Sequence, residues 1–134
     1  MNYTIFSDGA ARGNPGNAGA GYIIYDENSN VVEEMAIPLG ITTNNIAEYS
    51  AVIAGAKAVL KLCPAHVSFR LDSELIVKQV KGEYRVKDEK LKPLFFQLMQ
   101  ILKSIEYDIC HVPRKENKEA DRLSNIGVDM NLVE

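Results

Sequence analysis

The chain has no tryptophan and only two cysteines, Cys63 and Cys110, among its 134 residues. Two cysteines are too few to hold together a fold of this size, so the sequence predicts reduced thiols in the core, and a bridge between them stays open as the alternative. No apolar run reaches the length of a membrane span, and the first residues lack the pattern of a signal peptide. We expect a monomeric cytoplasmic protein that makes no membrane contact.

Common cofactor motifs are missing as well. The segment Gly19-Ala20-Gly21 lacks the third glycine of a dinucleotide-binding loop, and no Walker-type phosphate loop occurs. A zinc site would have to be built from Cys63, His66, Cys110 and His111. Because Cys110 and His111 are adjacent on a predicted strand, their side chains point to opposite faces and cannot easily share one ion. The sequence therefore does not favour dinucleotide, Walker-type or zinc chemistry.

Charge is distributed unevenly along the chain. Lys and Arg total 15 against 18 Asp and Glu, and the net charge of −3 does not by itself favour a nucleic-acid partner. One stretch is basic, with Lys78, Lys81, Arg85, Lys87, Lys90 and Lys92. It is either a stripe that follows a phosphate backbone or an ordinary solvated surface, and the sequence leaves both interpretations open.

Hydrophobic periodicity predicts one domain, residues 1–134, without repeats or linkers. Strands are expected at 3–8, 20–26, 31–39, 66–72 and 105–112, and helices at 45–62, 74–80, 89–104 and 116–126. The glycine-rich stretch 9–19 is predicted to be a long turn-rich loop, and 128–134 a short tail beyond a core of about 3–127. This is an α/β fold, βββαβααβα, with a five-stranded mixed sheet flanked by helices.

Three acids occur where structure alone would not place them. Glu48 shares the inner stripe of the first long helix with Tyr49 and Val52, and an inward carboxylate is costly unless it is paired or binds a metal. Asp8 closes the first predicted strand and Asp72 the fourth. Each acid also has a simpler structural interpretation. Glu48 would lie at the edge of the stripe near the helix N-terminus, and the two aspartates would be turn or capping residues.

If these three acids lie close together in the fold, a shared functional role explains them better than turn or capping chemistry does. If the first and fourth strands are neighbours, Asp8 and Asp72 end close together, and Glu48 can lie above the same edge. Carboxylates this close raise one another's pKa, a cost that makes sense where hard cations such as Mg²⁺ or Mn²⁺ are bound. Asp121 lies early in the last helix, where negative charge is generally favourable, so its own signal is weak.

Five segments in this order form a joint pattern: Ser7-Asp8-Gly9, Gly13-Asn14-Pro15-Gly16, Thr42 to Glu48, Asp72-Ser73, and Glu116 to Asp121. From Tyr3 to about Gly127 the chain resembles the type 1 ribonuclease H family. The resemblance implies a ribonuclease H-like fold and an endonuclease that hydrolyses the RNA strand of RNA/DNA hybrids, leaving 5′-phosphate and 3′-hydroxyl ends.

The resemblance also implies residue roles. Asp8 would bridge two Mg²⁺ or Mn²⁺ ions, with Glu48 and Asp72 on one ion and Asp121 on the other. Substrate contacts would come from Asn14, Asn44 and Asn45 in the minor groove of the hybrid and from Thr43 at a DNA phosphate. Turn and capping chemistry is the alternative for these four residues, and the two roles are compatible.

The chain departs from the family pattern near its last helix. Many relatives carry a mobile histidine in the preceding loop, but His111 falls in the predicted strand 105–112 and is expected to be structural. Arg114 matches a subgroup with an arginine in that loop and is the candidate for assisting proton transfer or product release, with an exposed surface cation as the alternative. Only the short connection 81–86 stands where some relatives insert a basic helix that grips DNA.

Two rival functions stay open. The first is a catalytically inactive module of the same fold that binds hybrid or structured RNA, against which the complete set of four acids speaks. The second is a nuclease that also cleaves double-stranded RNA, as the arginine-bearing subgroup suggests.

Overall fold

A computed structural model describes residues 1–132 of the chain. Its strands are β1 Asn2–Gly13, β2 Gly16–Tyr25, β3 Val31–Thr42, β4 His66–Leu71 and β5 Tyr107–His111. Its helices are α1 Asn44–Leu60, α2 Glu74–Val80, α3 Lys92–Leu102 and α4 Lys118–Met130, with a short 3₁₀ turn at Arg114–Glu116 that we call the Arg114 turn. The predicted element order βββαβααβα is therefore confirmed.

The five strands form one mixed sheet in the order β3-β2-β1-β4-β5. β1 lies at its centre, pairing antiparallel with β2 and parallel with β4. The two neighbours of β1 differ because a tight turn joins β1 to β2, whereas the long helix α1 crosses over before β4. The first and fourth strands are thus adjacent, as the convergence of the acids requires.

Helices cover both faces of the sheet. Along β2, Tyr22 faces α1 and the adjacent Gly21 faces α4, so these helices lie on opposite sides. The main core lies between the sheet and helices α1 to α3, and its largest fully buried members include Tyr49, Phe69, Ile5, Ile24 and Leu98. The helix α4 packs on β1, β2 and β3.

The prediction of a long loop at 9–19 is wrong. β1 and β2 continue as a two-stranded ribbon to a tight turn, where Gly13 pairs with Gly16. The glycines in this stretch serve close packing: a Cβ on Gly9 would lie 2.2 Å from the backbone of Ala47, and one on Gly19 would lie 2.3 Å from the backbone of Ser124. Glycine at these positions lets α1 and α4 pack closely on the sheet. In the sequence alone, the same glycines resemble turn signals.

Other boundaries shift by a few residues. The helix α4 continues to Met130, and Val128 is fully buried, so the predicted tail does not begin at 128. The helix α3 begins only at Lys92, with Pro93 in its first turn, and β5 begins at Tyr107. Both cysteines are free thiols, as predicted, but the prediction that they lie in the core is wrong, because Cys63 is exposed and Cys110 is only half-buried. No helix in residues 1–132 is long and apolar enough to cross a membrane.

Candidate active site

Two aspartates emerge side by side at one edge of the sheet. The parallel pairing of β1 with β4 ends at Ser7 and Leu71, and the next residues are Asp8 and Asp72. Asp8 does not close its strand, because β1 goes on pairing with β2 and places Asp8 opposite Gly21. The expectation of a strand end is wrong for Asp8, but the parallel ladder does stop there, which leaves room for other groups.

Helix α1 adds a third carboxylate. The missing side chain of Gly9 allows the backbone of Ala47 and Glu48 to approach β1 closely, which brings Glu48 over the aspartates. Ligand oxygens of Asp8, Glu48 and Asp72 all lie within 4.8 Å of one another. They line a cavity of about 400 Å³ together with His111, Pro113 and Arg114. The convergence predicted for these three acids is present.

Burial perturbs the protonation of two of the acids. The pKa of Asp8 is raised, first by burial and then by repulsion from Glu48 and Asp72. Burial also raises the pKa of Glu48. Hydrogen bonds from Asp8 and the Gly9 backbone, together with the nearby positive charge of Arg114, lower this pKa and partly offset the effect of burial. The Glu48 atom Oε2 is buried without a hydrogen-bond partner in the described part of the chain.

The donor set fits a hard divalent cation. Carboxylate oxygens are the ligands that Mg²⁺ and Mn²⁺ prefer, and an acid with a buried unpartnered oxygen gains a partner when a cation binds. A cation would also remove the repulsion that raises the pKa of Asp8. Asp8, Glu48 and Asp72 are therefore the residues that can hold a metal here.

The fourth acid, Asp121, lies beside this group but outside it. It is half-buried in the first turn of α4, and its side chain contributes to the raised pKa of Asp8. Ser124 Oγ lies 2.8 Å from the Asp121 backbone oxygen and 3.4 Å from Asp8 Oδ2. Asn117 Nδ2 donates to the Ser7 backbone oxygen at 2.9 Å. These contacts hold the start of α4 against β1.

Sequence reasoning missed Asn117 and Ser124. Both are buried polar residues, 1% and 0% exposed. Ser124 lies on the inner face of α4 with Ala120 and Val128, and a polar residue within such an apolar stripe was the available signal. Asn117 had no comparable signal beyond its place before the helix.

The predicted substrate residues surround the N-terminus of α1. Thr43 is the N-cap residue of α1, and its hydroxyl accepts from the Ile46 backbone N–H. Asn14 and Asn44 fasten the β1–β2 turn to the helix: Asn44 N donates to Asn14 Oδ1 at 3.0 Å, and Ala11 N donates to Asn44 Oδ1 at 3.0 Å. Capping and turn chemistry is thus observed for these three residues. The asparagines Asn14, Asn44 and Asn45 are all exposed.

Both candidates near the last helix reach the acidic cavity. Arg114 lines it, and its positive charge lowers the pKa of Glu48. His111 ends β5, opposite Leu71, which confirms its placement in a strand. It is nevertheless exposed and lines the same cavity as Asp72. From the sequence, His111 was expected to be structural and Arg114 functional, but in the structure both residues line the acidic cavity.

Comparison with known proteins places these features in a family. The family described as "Reverse transcriptase-like" matches residues 6–127. A ribonuclease H of Lachnoclostridium phytofermentans is 33% identical over 149 aligned positions, which cover 96% of this chain and 93% of that protein. The solved structure of LC11-RNase H1 in complex with an RNA/DNA hybrid is similar with a TM-score of 0.92 and 39% identity, covering 98% of this chain and 99% of that chain.

A longer relative has a matching segment. A bifunctional protein of Mycobacterium tuberculosis is 38% identical over 133 residues, which cover 96% of this chain but 36% of that protein. The chain thus spans about a third of the length of this curated relative. The similarity concerns the domain described above.

Proposed function

The chain belongs to the type 1 ribonuclease H family, and on this premise we propose that it hydrolyses the RNA strand of RNA/DNA hybrids. The observation that carries the proposal is the meeting of Asp8, Glu48 and Asp72 within 4.8 Å, with Asp121 beside them. The similar LC11-RNase H1 was solved with such a hybrid.

The proposal includes two divalent ions, Mg²⁺ or Mn²⁺. Asp8, Glu48 and Asp72 would hold one, and Asp8 with Asp121 the other. When bound, such ions supply Lewis-acid chemistry at a phosphodiester, and the family implies 5′-phosphate and 3′-hydroxyl products. The protein prepares the site by keeping the carboxylates close and partly dry, at the cost of their raised pKa values.

Arg114 lines the same cavity as three of these acids and brings a positive charge to it. Its guanidinium remains charged at neutral pH and can donate hydrogen bonds to a phosphate, but it cannot act as a base. We assign it the role of holding negative charge that develops at the scissile phosphate or on the product.

The polar surface at the α1 N-terminus would select the substrate. The exposed amides of Asn14, Asn44 and Asn45 can each donate and accept hydrogen bonds, which suits 2′-hydroxyl groups and base edges in a shallow minor groove. Thr43 lies next to them and would contact a backbone phosphate. The hydrogen bonds from Asn44 N to Asn14 Oδ1 and from Ala11 N to Asn44 Oδ1 fix this surface in advance, so little order has to be gained on binding. Monomeric state and a cytoplasmic location stay predictions.

Asp8→Asn tests the proposal against a matched surface variant, Asp129→Asn. Asp129 lies on α4, away from the acid cluster, and its side chain is 61% exposed. An end-labelled RNA/DNA hybrid would be incubated with each protein in Mg²⁺, Mn²⁺ or chelator, beside all-RNA and all-DNA duplexes. We expect metal-dependent cleavage of the RNA strand by the unmodified chain and by Asp129→Asn, and none by Asp8→Asn.

The duplex controls separate the rival functions. Hybrid binding without cleavage in either metal would contradict the proposal and identify an inactive binding module. Cleavage of the all-RNA duplex that is also lost in Asp8→Asn would show a broader substrate range at the same site. Cleavage that survives in Asp8→Asn would place the activity elsewhere.

A further inference from the structure

Two neighbouring polar residues of α4 contact the acids that would hold the second ion, Asp8 and Asp121. Ser124 Oγ lies 3.4 Å from Asp8 Oδ2 and 2.8 Å from the Asp121 backbone oxygen. Asn125 Nδ2 lies 3.0 Å from the same backbone oxygen and 3.4 Å from Asp121 Oδ1. A hydroxyl group thus reaches one of the two acids, and an amide group reaches the other.

Helix stability gives no reason for a hydroxyl group at Ser124. The residue is fully buried and shares the inner face of α4 with Ala120 and Val128, which lie four residues to either side. Alanine has a higher helix propensity than serine, and a serine hydroxyl that bonds back to its own helix does not stabilise it. Because stability alone would favour alanine, the proximity of the hydroxyl to Asp8 indicates a functional role.

Close packing on β2 fixes the position of this hydroxyl relative to Asp8. A Cβ on Gly21 would lie 2.5 Å from the Ser124 backbone nitrogen, and one on Gly19 would lie 2.3 Å from the Ser124 backbone oxygen. Gly21 is also the residue that pairs with Asp8 between β1 and β2. The placement of Ser124 beside Asp8 therefore depends on backbone contacts and not on flexible side chains.

The Ser124 hydroxyl has one proton and two acceptors within reach. In this structure the Asp121 backbone oxygen is the acceptor, because 3.4 Å to Asp8 exceeds the ordinary length of an O–H···O bond. A hydroxyl hydrogen rotates to suit its surroundings, and an ionised carboxylate is a stronger acceptor than a backbone carbonyl. When the proton turns to Asp8, the Asp121 backbone oxygen keeps the amide donor of Asn125. The hydroxyl can therefore serve Asp8 without leaving that oxygen unpaired.

We propose that Ser124 and Asn125 are positioning residues that orient Asp8 and Asp121 for a divalent cation, an inference that rests on the function proposed above. Groups that hydrogen-bond to metal-binding carboxylates fix their orientation, and the loss of such a group weakens metal binding by about 10- to 100-fold. Ser124 has the larger effect of the two, because Asp8 would contact both ions and Asp121 only one.

The test is a calorimetric titration of the metal-free full chain with Mn²⁺, together with Tm measured in chelator and in Mn²⁺. Ser124→Ala should raise the dissociation constant for Mn²⁺ about tenfold and reduce the increase in Tm that Mn²⁺ produces. Its Tm in chelator should not fall, because alanine suits a buried helix position. Asn125→Ala should raise the dissociation constant by a smaller factor.

Ser50→Ala is the matched control. The Ser50 hydroxyl donates to the Ile46 backbone oxygen at 2.8 Å within α1 and makes no hydrogen bond to an acid among residues 1–132. We expect this variant to bind Mn²⁺ as tightly as the unmodified chain does.

Four outcomes would overturn the proposal. They are absence of Mn²⁺ binding by the unmodified chain, an unchanged affinity in either α4 variant, an equal loss of affinity in Ser50→Ala, and a Tm of Ser124→Ala that falls in chelator. The titration contains no hybrid, so a chain that binds Mn²⁺ but does not cleave would contradict the proposed function and not this inference.

Discussion

Asp8 and Glu48 keep their protons at a pH where ordinary carboxyl groups have lost them, because both have a raised pKa. A group with a higher pKa in the folded than in the unfolded protein stabilises the fold less as pH rises. This contribution is complete below the unfolded pKa of about 4 and is lost as pH increases through the raised values. We expect the metal-free protein to lose several degrees of Tm between pH 5 and pH 8 in chelator.

The same experiment has two internal checks. Asp8→Asn removes one of the two groups and should flatten the decline. Burial raises the pKa of Asp108, but hydrogen bonds from Ser68, Arg70 and His66 together outweigh it and lower the pKa. Its contribution is therefore lost only in acid, below about pH 4, outside the window of Asp8 and Glu48. A Tm that rises between pH 5 and pH 8 would contradict the direction given for Asp8 and Glu48.

Arg114 and Arg122 provide a matched pair of exposed arginines near α4. Arg114 lines the acidic cavity, whereas Arg122 pairs with Glu34 and Glu119 on the surface. If Arg114 holds charge at the scissile phosphate, Arg114→Ala should lower kcat by roughly 10²-fold, and Arg122→Ala should leave it within about twofold, since surface ion pairs contribute little. Steady-state cleavage of a hybrid measures both. Equal effects would leave Arg114 as an ordinary surface cation.

Of the two helical glycines Gly55 and Gly127, the one in α4 leaves less room for added atoms. A Cβ on Gly127 would lie 2.4 Å from the Ile37 backbone oxygen, whereas one on Gly55 in α1 would lie 3.1 Å from a methyl group of Ile5. Alanine in place of either helical glycine gains about 1 kcal/mol of helix propensity. Gly127→Ala should still lower the free energy of unfolding by about 1–3 kcal/mol, because a backbone oxygen cannot give way.

Denaturant unfolding of both variants measures this difference. Gly55→Ala should change the free energy of unfolding by no more than about 1 kcal/mol, because a side-chain methyl can shift by a few tenths of an ångström. Equal stabilities of the two variants would mean that α4 has freedom to move away from β3. Asp121 would then be less firmly positioned than its contacts indicate.

The same elements explain what sequence could and could not predict. The order of strands and helices follows from apolar periodicity, and α2 lies at 74–80 as predicted, with Ser73 as its N-cap residue. The ribbon over 9–19 was missed because the glycines there meet α1 and α4, which are distant in sequence. Val128 was assigned to a tail although α4 continues to Met130: Gly127 follows the predicted helix 116–126 in the position of a C-terminal glycine, but in the structure it lies inside α4 and packs against β3.

The candidate site was predictable to a similar degree. Asp8, Glu48 and Asp72 followed from strand order and helix face, and the structure brings them together. Asp121 rested on resemblance alone, since its position in a first turn suits any acid. The unpartnered Oδ1 of Asn117 is invisible in a sequence, because it depends on the direction that a neighbouring backbone oxygen imposes on the amide.

For the molecule as a whole, a net charge of −3 conceals an uneven surface. In the basic stretch 78–92, Lys78 and Lys92 pair with nearby acids, but Lys81, Lys87 and Lys90 form no ion pair within residues 1–132 and are exposed. If these lysines contact phosphates, the triple change to Gln should raise KM for the hybrid and reduce the slope of log KM against log salt by about 0.7–0.9 per lost contact.

Three exposed lysines elsewhere form the control. Lys57, Lys61 and Lys103 changed together to Gln alter the net charge equally, and we expect KM and its salt slope to change much less. A similar effect of both triple variants would mean that only the total charge matters. The stretch 78–92 would then be an ordinary solvated surface.

The four acids come from β1, α1, β4 and α4, in that order along the chain. A growing polypeptide on the ribosome therefore holds three of them well before the fourth is made. Any nascent chain or fragment that stops before Asp121 lacks both the last acid and the helix that seats it against the glycines of β2. If cleavage needs all four acids, as we propose, a chain that is still being synthesised cannot cleave a hybrid until α4 is complete.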